Sequence, residues 1–202
     1  KRQESIEAAI KIARRYFYIT ENSKQKNEII TFSGSFHGRT LGALAAGGSD
    51  LLEGFNTEMP GFTQLKFGDH DALKKSISDK TAAILVEPIQ GEGGVSSLPK
   101  ECLNALRRLC DDNNILLIFD EVQCGFYRSG KMFAYQWSDV EPDIMTTAKA
   151  IANGFPLGAT MTSKKIGDVM GYGTHGSTYG GNPLAVAVGN AVLDLMQKDN
   201  FS

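Results

Sequence analysis

The chain has 202 residues, 42% of them hydrophobic, and a formal net charge of −2 at pH 7. This length allows one large domain or two small ones with a fully buried core. The 21 basic and 23 acidic residues form no Lys/Arg-rich block, which argues against a nucleic-acid-binding protein, and the longest dense apolar run, residues 115–119, is too short to cross a bilayer.

The cysteines and histidines indicate neither a disulfide framework nor a metal site. The three cysteines are odd in number and include no C-x-x-C pair, which favours a reduced, cytoplasmic chain. The three histidines are widely spaced and none belongs to an H-E-x-x-H motif, so no metal is expected. Residues 171–176 match G-x-G-x-x-G, but without the strand–turn–helix context that a dinucleotide-binding motif needs.

The hydrophobic pattern of the first half predicts helices alternating with strands. An amphipathic helix is predicted for residues 4–18, and a strand over 28–32 leads into a glycine-rich stretch. A short helix over 72–77, capped by the aspartate at position 69 or 71, precedes a second strand over 82–86.

The second half continues the alternation. Pro99 opens a helix that runs to about Asp112, with Leu103, Leu106 and Cys110 facing inward. The strand predicted for residues 115–119 is apolar throughout, which is typical of a strand buried on both faces.

Further strands are predicted over 144–147 and 157–162, and Asn182 caps a last helix that begins at Pro183. Alternating strands and helices predict an α/β domain of three layers with a mostly parallel sheet. In such sheets, ligands bind beyond the carboxyl ends of the strands.

Two charged residues are expected at that edge of the sheet. Asp120 follows the apolar run 115–119, and Lys149 follows the strand predicted over 144–147 and precedes a Gly/Pro loop. Taken alone, a strand-terminal aspartate is more often structural and a lysine more often solvated. Together they supply a lysine for a Schiff base and an acid for a pyridinium nitrogen, which are the groups that a pyridoxal phosphate site requires.

Five motifs in order extend this hypothesis through nearly the whole chain. They are SFHGRTLG at residues 35–42, VEPIQGEGG at 86–94, FDEVQ at 119–123, AKA through GFP at 148–156, and HGSTYGGNP at 175–183. The set resembles the class III pyridoxal-phosphate-dependent aminotransferases, and within them the members that act on N-acetylornithine. The resemblance implies the large cofactor-binding domain of a fold-type I aminotransferase.

The resemblance assigns the cofactor contacts as follows. Lys149 forms the Schiff base with pyridoxal 5′-phosphate, and Asp120 pairs with its ring nitrogen. Phe36 stacks on the ring, Gln123 lies near the ring hydroxyl, and Glu121 and Val122 belong to the same contact segment.

It also implies substrate and subunit contacts. Arg39 holds the α-carboxylate of the substrate, and Glu92 is a gate acid that pairs with an arginine of a C-terminal domain. Thr178 binds the phosphate of the neighbouring subunit's cofactor, which makes the protein a homodimer, and Ser177 contacts substrate across the interface. No membrane or nucleic-acid partner is expected.

The implied reaction moves an amino group from N-acetylornithine, or a related acylated diamino acid, to 2-oxoglutarate in arginine biosynthesis. Ornithine or 4-aminobutyrate aminotransferase is the alternative within the class, and Arg39 disfavours 4-aminobutyrate. A non-catalytic cofactor binder and a structural α/β domain without cofactor also stay open.

The chain is expected to be part of a longer protein. Lys1, Arg2 and Gln3 stand where the family has a Ser-Gly-Thr or Ser-Gly-Ala turn that cups the phosphate, and no small C-terminal domain follows. Residues 1–202 would then be an incomplete large domain with weak or no activity alone.

Overall fold

The computed structural model describes residues 1–48, 52–55, 59–198 and 201. Its α-helices are α1 (Arg2–Thr20), α2 (Leu41–Gly47), α3 (His70–Ser76), α4 (Lys100–Asp112), α5 (Lys164–Gly167) and α6 (Pro183–Met196). Its strands are β1 (Glu28–Phe32), β2 (Phe62–Leu65), β3 (Thr81–Val86), β4 (Ile89–Gln90), β5 (Ser96–Ser97), β6 (Leu116–Asp120), β7 (Ile144–Thr147) and β8 (Ala159–Thr162). Two 3-10 helices span Ala134–Trp137 and Lys149–Ala152.

The main sheet has six strands in the order β2-β1-β3-β6-β7-β8. Its pairings are parallel except that of β7 with β8, which is antiparallel. The predicted α/β architecture with a mostly parallel sheet is therefore confirmed. Because the parallel strands point the same way, the segments after β1, β3, β6 and β7 emerge at one edge of the sheet.

Helices cover both faces of the sheet and produce the three predicted layers. On one face, α1 packs against alternate strand residues such as Ala83, Leu85, Leu116 and Ile118. On the other face, α3 and α4 pack against the strand residues that alternate with these. Every residue of β3 and β6 is buried, as expected of central strands covered on both sides.

Most predicted elements are present with small differences at their ends. The bounds of β1 and β7 match the prediction, and Leu103, Leu106 and Cys110 are the buried residues of α4, as predicted. Asp69 caps α3 by accepting a hydrogen bond from the Ala72 N–H at 2.9 Å. The strand predicted over 157–162 begins only at Ala159.

The sequence pattern missed α2 and β2. The cap of α2 is nevertheless a conventional one, since the Thr40 side chain accepts from the Ala43 N–H. Among the described residues, no helix is both long and apolar enough to cross a membrane.

Candidate active site

Asp120 is the last residue of β6 and lies beside the first turn of α1. Side chains alternate along a strand, so Asp120 projects to the same face as Leu116 and Ile118, which pack against α1. By the same alternation, Glu87 follows Ala83 and Leu85 on the neighbouring strand. The fold thus brings two carboxylates to the α1 face of the sheet.

Four hydrogen bonds surround the buried Asp120 carboxylate. Oδ2 accepts from Nδ1 of His37 at 2.8 Å and from Nη2 of Arg2 at 3.2 Å. Oδ1 accepts from the Val122 N–H at 3.0 Å and from the Thr146 hydroxyl at 3.4 Å. Burial by itself raises the pKa of a carboxyl group, but the hydrogen bond from His37 and the charge of Arg2 outweigh it. The pKa of Asp120 therefore lies below its usual value, and the group stays an anion.

Glu87 is the second carboxylate of the site. Its Oε1 accepts from Nη2 of Arg2 at 2.8 Å, and its Oε2 accepts from the Phe36 N–H at 3.2 Å. Burial and repulsion by Asp120 raise the pKa of Glu87 to about 7, against the attraction of His37 and Arg2. Of the two acids, Asp120 therefore stays ionised, whereas Glu87 titrates near neutral pH.

Arg2 is the cation that these two acids hold. It begins α1, is 7% exposed, and its guanidinium carbon lies 4.9 Å from the centroid of the Phe36 ring. Its Nε has no hydrogen-bond partner among the described residues. The site therefore accepts a planar cation with its edge on Asp120 and its face on Phe36.

Lys149 lies after β7, on the same edge of the sheet as Asp120. The register pairs Asp120 with Thr146, three positions before Lys149. Lys149 has a φ of +49°, a left-handed backbone conformation that costs a non-glycine residue about 1 kcal/mol or more. Strain of this kind is concentrated at functional sites.

The surroundings of Lys149 bind its amine and lower its pKa. It donates a hydrogen bond to Oε1 of Gln123. Burial lowers the pKa of Lys149 and the charge of Arg2 lowers it further, although the nearby acids Glu92 and Asp120 act in the opposite direction. A lowered pKa increases the fraction of neutral, nucleophilic amine at pH 7.

A tight turn follows Asp120 and places the side chains of the next residues in different surroundings. The backbone reverses, with the Gly125 N–H donating to the Glu121 carbonyl at 2.8 Å, and Gln123 consequently reaches Lys149. The Val122 side chain is buried, and the Val122 N–H donates to Oδ1 of Asp120.

The Glu121 carboxylate is buried and accepts hydrogen bonds from a later segment of the chain. It accepts from the N–H groups of Ala134 and Tyr135 at 2.9 and 2.8 Å and from the Cys124 thiol at 3.1 Å. These contacts fix the start of a 3-10 helix. These bonds engage both carboxylate oxygens of Glu121 within the fold.

Phe36, Arg39 and Glu92 border the site on its open side. Phe36 is half-buried, and the Arg39 guanidinium lies 5.4 Å from its ring centroid on an exposed side chain. Glu92 is exposed and near enough to influence the pKa of Lys149. All three side chains are accessible to a small molecule that enters from solvent.

Ser177 and Thr178 lie elsewhere, on an exposed loop before α6. They line an open cleft of about 830 Å³ together with the start of α1 and the loop before β8. This structure does not bring them to Asp120 or Lys149 within the chain. The resemblance assigns them to a neighbouring subunit, and their exposure leaves them free for such a contact.

Sequence reasoning missed His37, Glu87, Arg2 and Thr146 as members of the site. The signal for Glu87 was available: it follows a buried apolar strand in the same way as Asp120. His37 and Glu87 also lie inside motifs already recognised, 35–42 and 86–94. Arg2 gave no signal, because its burial depends on the tertiary placement of α1.

Comparison with known families identifies the class of protein to which this fold and this site belong. Residues 3–202 match the family model described as aminotransferase class-III. The chain belongs to this family. The match covers nearly the whole chain, in agreement with the five motifs.

Individual relatives are consistent with this assignment. The acetylornithine aminotransferase of Agrobacterium fabrum is 56% identical over 98% of this chain and 50% of its own length. A crystal structure of ornithine aminotransferase from Toxoplasma gondii has a TM-score of 0.92 at 37% identity, covering 97% of this chain and 48% of that one. N-acetylornithine aminotransferase from Stenotrophomonas maltophilia has a TM-score of 0.77 at 36% identity, covering 96% and 45%. The chain thus spans about half the length of the relatives it matches.

Proposed function

We propose that these residues form most of the cofactor-binding domain of a pyridoxal-phosphate-dependent aminotransferase that acts on N-acetylornithine and 2-oxoglutarate in arginine biosynthesis. The observation that carries the proposal is the pairing of Asp120, a buried anion, with the accessible amine of Lys149 at one edge of the sheet. Membership of the class III family supports it, because that family uses this cofactor.

The residues present fit pyridoxal phosphate. Arg2 already shows that a planar cation can rest between Phe36 and Asp120, and a protonated pyridine ring needs the same two contacts. Lys149 and Gln123 would hold the opposite part of the ring. When bound, the cofactor acts as an electron sink for the carbanion that forms next to the transferred amino group.

Asp120 would hold the proton on the ring nitrogen. A carboxylate about 4 Å from a cation contributes about 4 kcal/mol at an effective dielectric constant of about 20. That energy equals about 3 pKa units, enough to keep the ring nitrogen protonated at neutral pH. The low pKa of Asp120 ensures that the carboxylate carries its charge throughout this range.

Lys149 would carry the proton during transfer. Once the substrate amine has taken its place, Nζ is a free base that removes a proton from the carbon bearing the amino group and returns it to the cofactor side. The lowered pKa of Lys149 suits this role, because a base that works near neutral pH must be unprotonated part of the time.

The substrate assignment depends on the relatives and on Arg39. Curated acetylornithine aminotransferases from several bacteria are 48% to 56% identical to this chain, and the N-acetylornithine and ornithine aminotransferase structures are 36% and 37% identical, respectively. The high TM-score of the latter reflects a backbone shared across the family. Arg39 offers a bidentate guanidinium for an α-carboxylate, and ornithine is the alternative substrate.

The assembly and setting are part of the proposal. Thr178 and Ser177 would act on the partner in a homodimer, and the exposed α6 side chains Leu184, Val186 and Leu195 support a further contact there. The cysteines are all free, which supports a reducing, cytoplasmic compartment.

The proposal is tested with a full-length protein that contains this segment and a panel of amino donors. We expect turnover with N-acetylornithine and 2-oxoglutarate to exceed turnover with ornithine or 4-aminobutyrate. Residues 1–202 alone should show weak or no turnover. A preference for 4-aminobutyrate would contradict the substrate assignment, and a full-length protein without transaminase activity would contradict the enzyme assignment.

A further inference from the structure

Arg2 occupies the place that the proposed function gives to the cofactor ring. Its guanidinium forms ion pairs with Glu87 at 2.8 Å and Asp120 at 3.2 Å, and it lies over Phe36. Residues 3–202 match the family model, so Arg2 lies just outside the matched segment.

We propose that the Arg2 side chain competes with the cofactor ring for Asp120 and Phe36 and thereby determines how tightly this protein binds pyridoxal phosphate. The inference rests on the proposed function, because it needs that ring to be the ligand of Asp120. Both occupants are planar cations that need the same carboxylate edge and the same aromatic face. They cannot use these groups together.

The exchange replaces one cation beside Asp120 with another. Asp120 and Glu87 are both buried, and a buried acid pair without a cation is strongly unfavourable. When the ring enters, its protonated nitrogen replaces the guanidinium beside Asp120, and Arg2 moves out to solvent. While Arg2 occupies the site, the cofactor ring binds only to the remaining fraction of molecules in which the site is open. The apparent affinity for the ring is then the intrinsic affinity multiplied by that open fraction.

The position of Arg2 is itself compatible with displacement. Its buried Nε lacks a partner among the described residues, and an unpaired buried donor carries a desolvation penalty. Arg2 lies at the first position of α1, where its own N–H has no acceptor within the helix, while its carbonyl accepts from the Ser5 hydroxyl at 2.7 Å. Only the end of the helix has to adjust.

The test is a binding titration with 4-deoxypyridoxine 5′-phosphate, which lacks the aldehyde and therefore does not bond to Lys149. Dissociation constants are measured by fluorescence for the unchanged chain, Arg2→Ala and Arg108→Ala. Arg108 is an exposed arginine on α4 and serves as the matched control. We expect Arg2→Ala to lower the dissociation constant by at least about tenfold, as if the open fraction rose from about one in ten to all molecules. Arg108→Ala should leave the dissociation constant unchanged.

A second variant covers the case in which Arg2→Ala does not fold. The double change Arg2→Ala with Glu87→Gln removes the cation and one acid together, and it should also bind more tightly than Glu87→Gln alone. Circular dichroism establishes which variants are folded before titration.

The remaining outcomes overturn the inference in distinguishable ways. Equal affinity in the chain with and without Arg2 shows that Arg2 does not compete, and weaker binding after its removal shows that it holds the phosphate instead. In both cases the proposed function stands. Absence of binding in all folded variants, including those without Arg2, overturns the proposed function and this inference together.

Discussion

Nδ1 of His37 lies 2.8 Å from Oδ2 of Asp120, and neither side chain is exposed to solvent. Because Asp120 is an anion and can only accept, Nδ1 of His37 must carry the proton. Nε2 of His37 has no partner among the described residues, so the bond to Asp120 is the one side-chain hydrogen bond that the structure describes for this ring. His37 therefore helps to keep Asp120 charged at the proposed ring nitrogen.

The change His37→Ala should raise the pKa of Asp120 and weaken cofactor binding. A hydrogen bond to a charged group contributes about 1.5–3 kcal/mol, which corresponds to a loss of affinity of about tenfold or more. His37→Asn retains an N–H donor and should lose less. Titration with pyridoxal phosphate checks both variants, and equal affinity in His37→Ala and the unchanged chain would show that the contact has no electrostatic role.

Glu87 should make the stability of the chain depend on pH in the neutral range. Its pKa rises from 4.5 to about 7 on folding, so the folded state binds the proton more tightly. Stability is then greatest below pH 4.5 as far as this group is concerned, and it falls as the pH rises to about 7. The shift from 4.5 to about 7 corresponds to a loss of about 3 kcal/mol.

Urea unfolding at several pH values measures this effect, with Glu87→Gln as the comparison. The variant should show a much flatter dependence between pH 5 and about 7. Asp120 does not interfere, because its lowered pKa confines its contribution to more acidic solutions. Parallel curves for the two proteins would rule out titration of Glu87 in this range.

Glu121→Ala should reduce stability without a direct effect on cofactor binding. The change leaves the N–H groups of Ala134 and Tyr135 without their acceptor, and each unsatisfied buried donor costs about 1–3 kcal/mol. Thermal unfolding and a cofactor titration below the transition separate the two effects. A large loss of affinity in folded protein would show that the Glu121 side chain contacts the cofactor.

Arg39→Lys should reduce the use of donors that carry an α-carboxylate. Lysine keeps the charge but loses the planar, bidentate geometry, so KM for N-acetylornithine should rise by about tenfold or more, as for the loss of about 1.4 kcal/mol. Use of 4-aminobutyrate, which has no α-carboxylate, should change little. Steady-state kinetics of the full-length protein decide, and an unchanged KM for N-acetylornithine would remove Arg39 from the carboxylate site.

The central part of the fold could be predicted because its sequence signals are local and strong. The strands β3, β6 and β7 are buried apolar runs, and α4 has a clear inward face. β2 was missed because Phe62–Leu65 is a short edge strand that is only partly buried, and so lacks a hydrophobic pattern. α2 was missed because Gly42 and Gly47 lower its helix propensity.

The site could be predicted only where charge follows an apolar strand. Asp120 and Lys149 gave that signal, and side-chain alternation along β3 and β6 would have placed Glu87 beside Asp120. The burial of Arg2 depends on how α1 packs across the sheet, which no local pattern encodes. The direction of the Glu121 side chain depends on the turn after β6 and likewise could not be predicted from the sequence.

The most direct test of the account is to locate the lysine that bonds to the cofactor. The protein is incubated with pyridoxal phosphate, reduced with borohydride, digested and analysed by mass spectrometry. We expect a phosphopyridoxyl group on Lys149 in large excess over the exposed Lys164, and loss of the visible absorbance band in Lys149→Ala. Labelling of Lys149 no greater than that of Lys164, with a band that survives Lys149→Ala, would contradict this expectation.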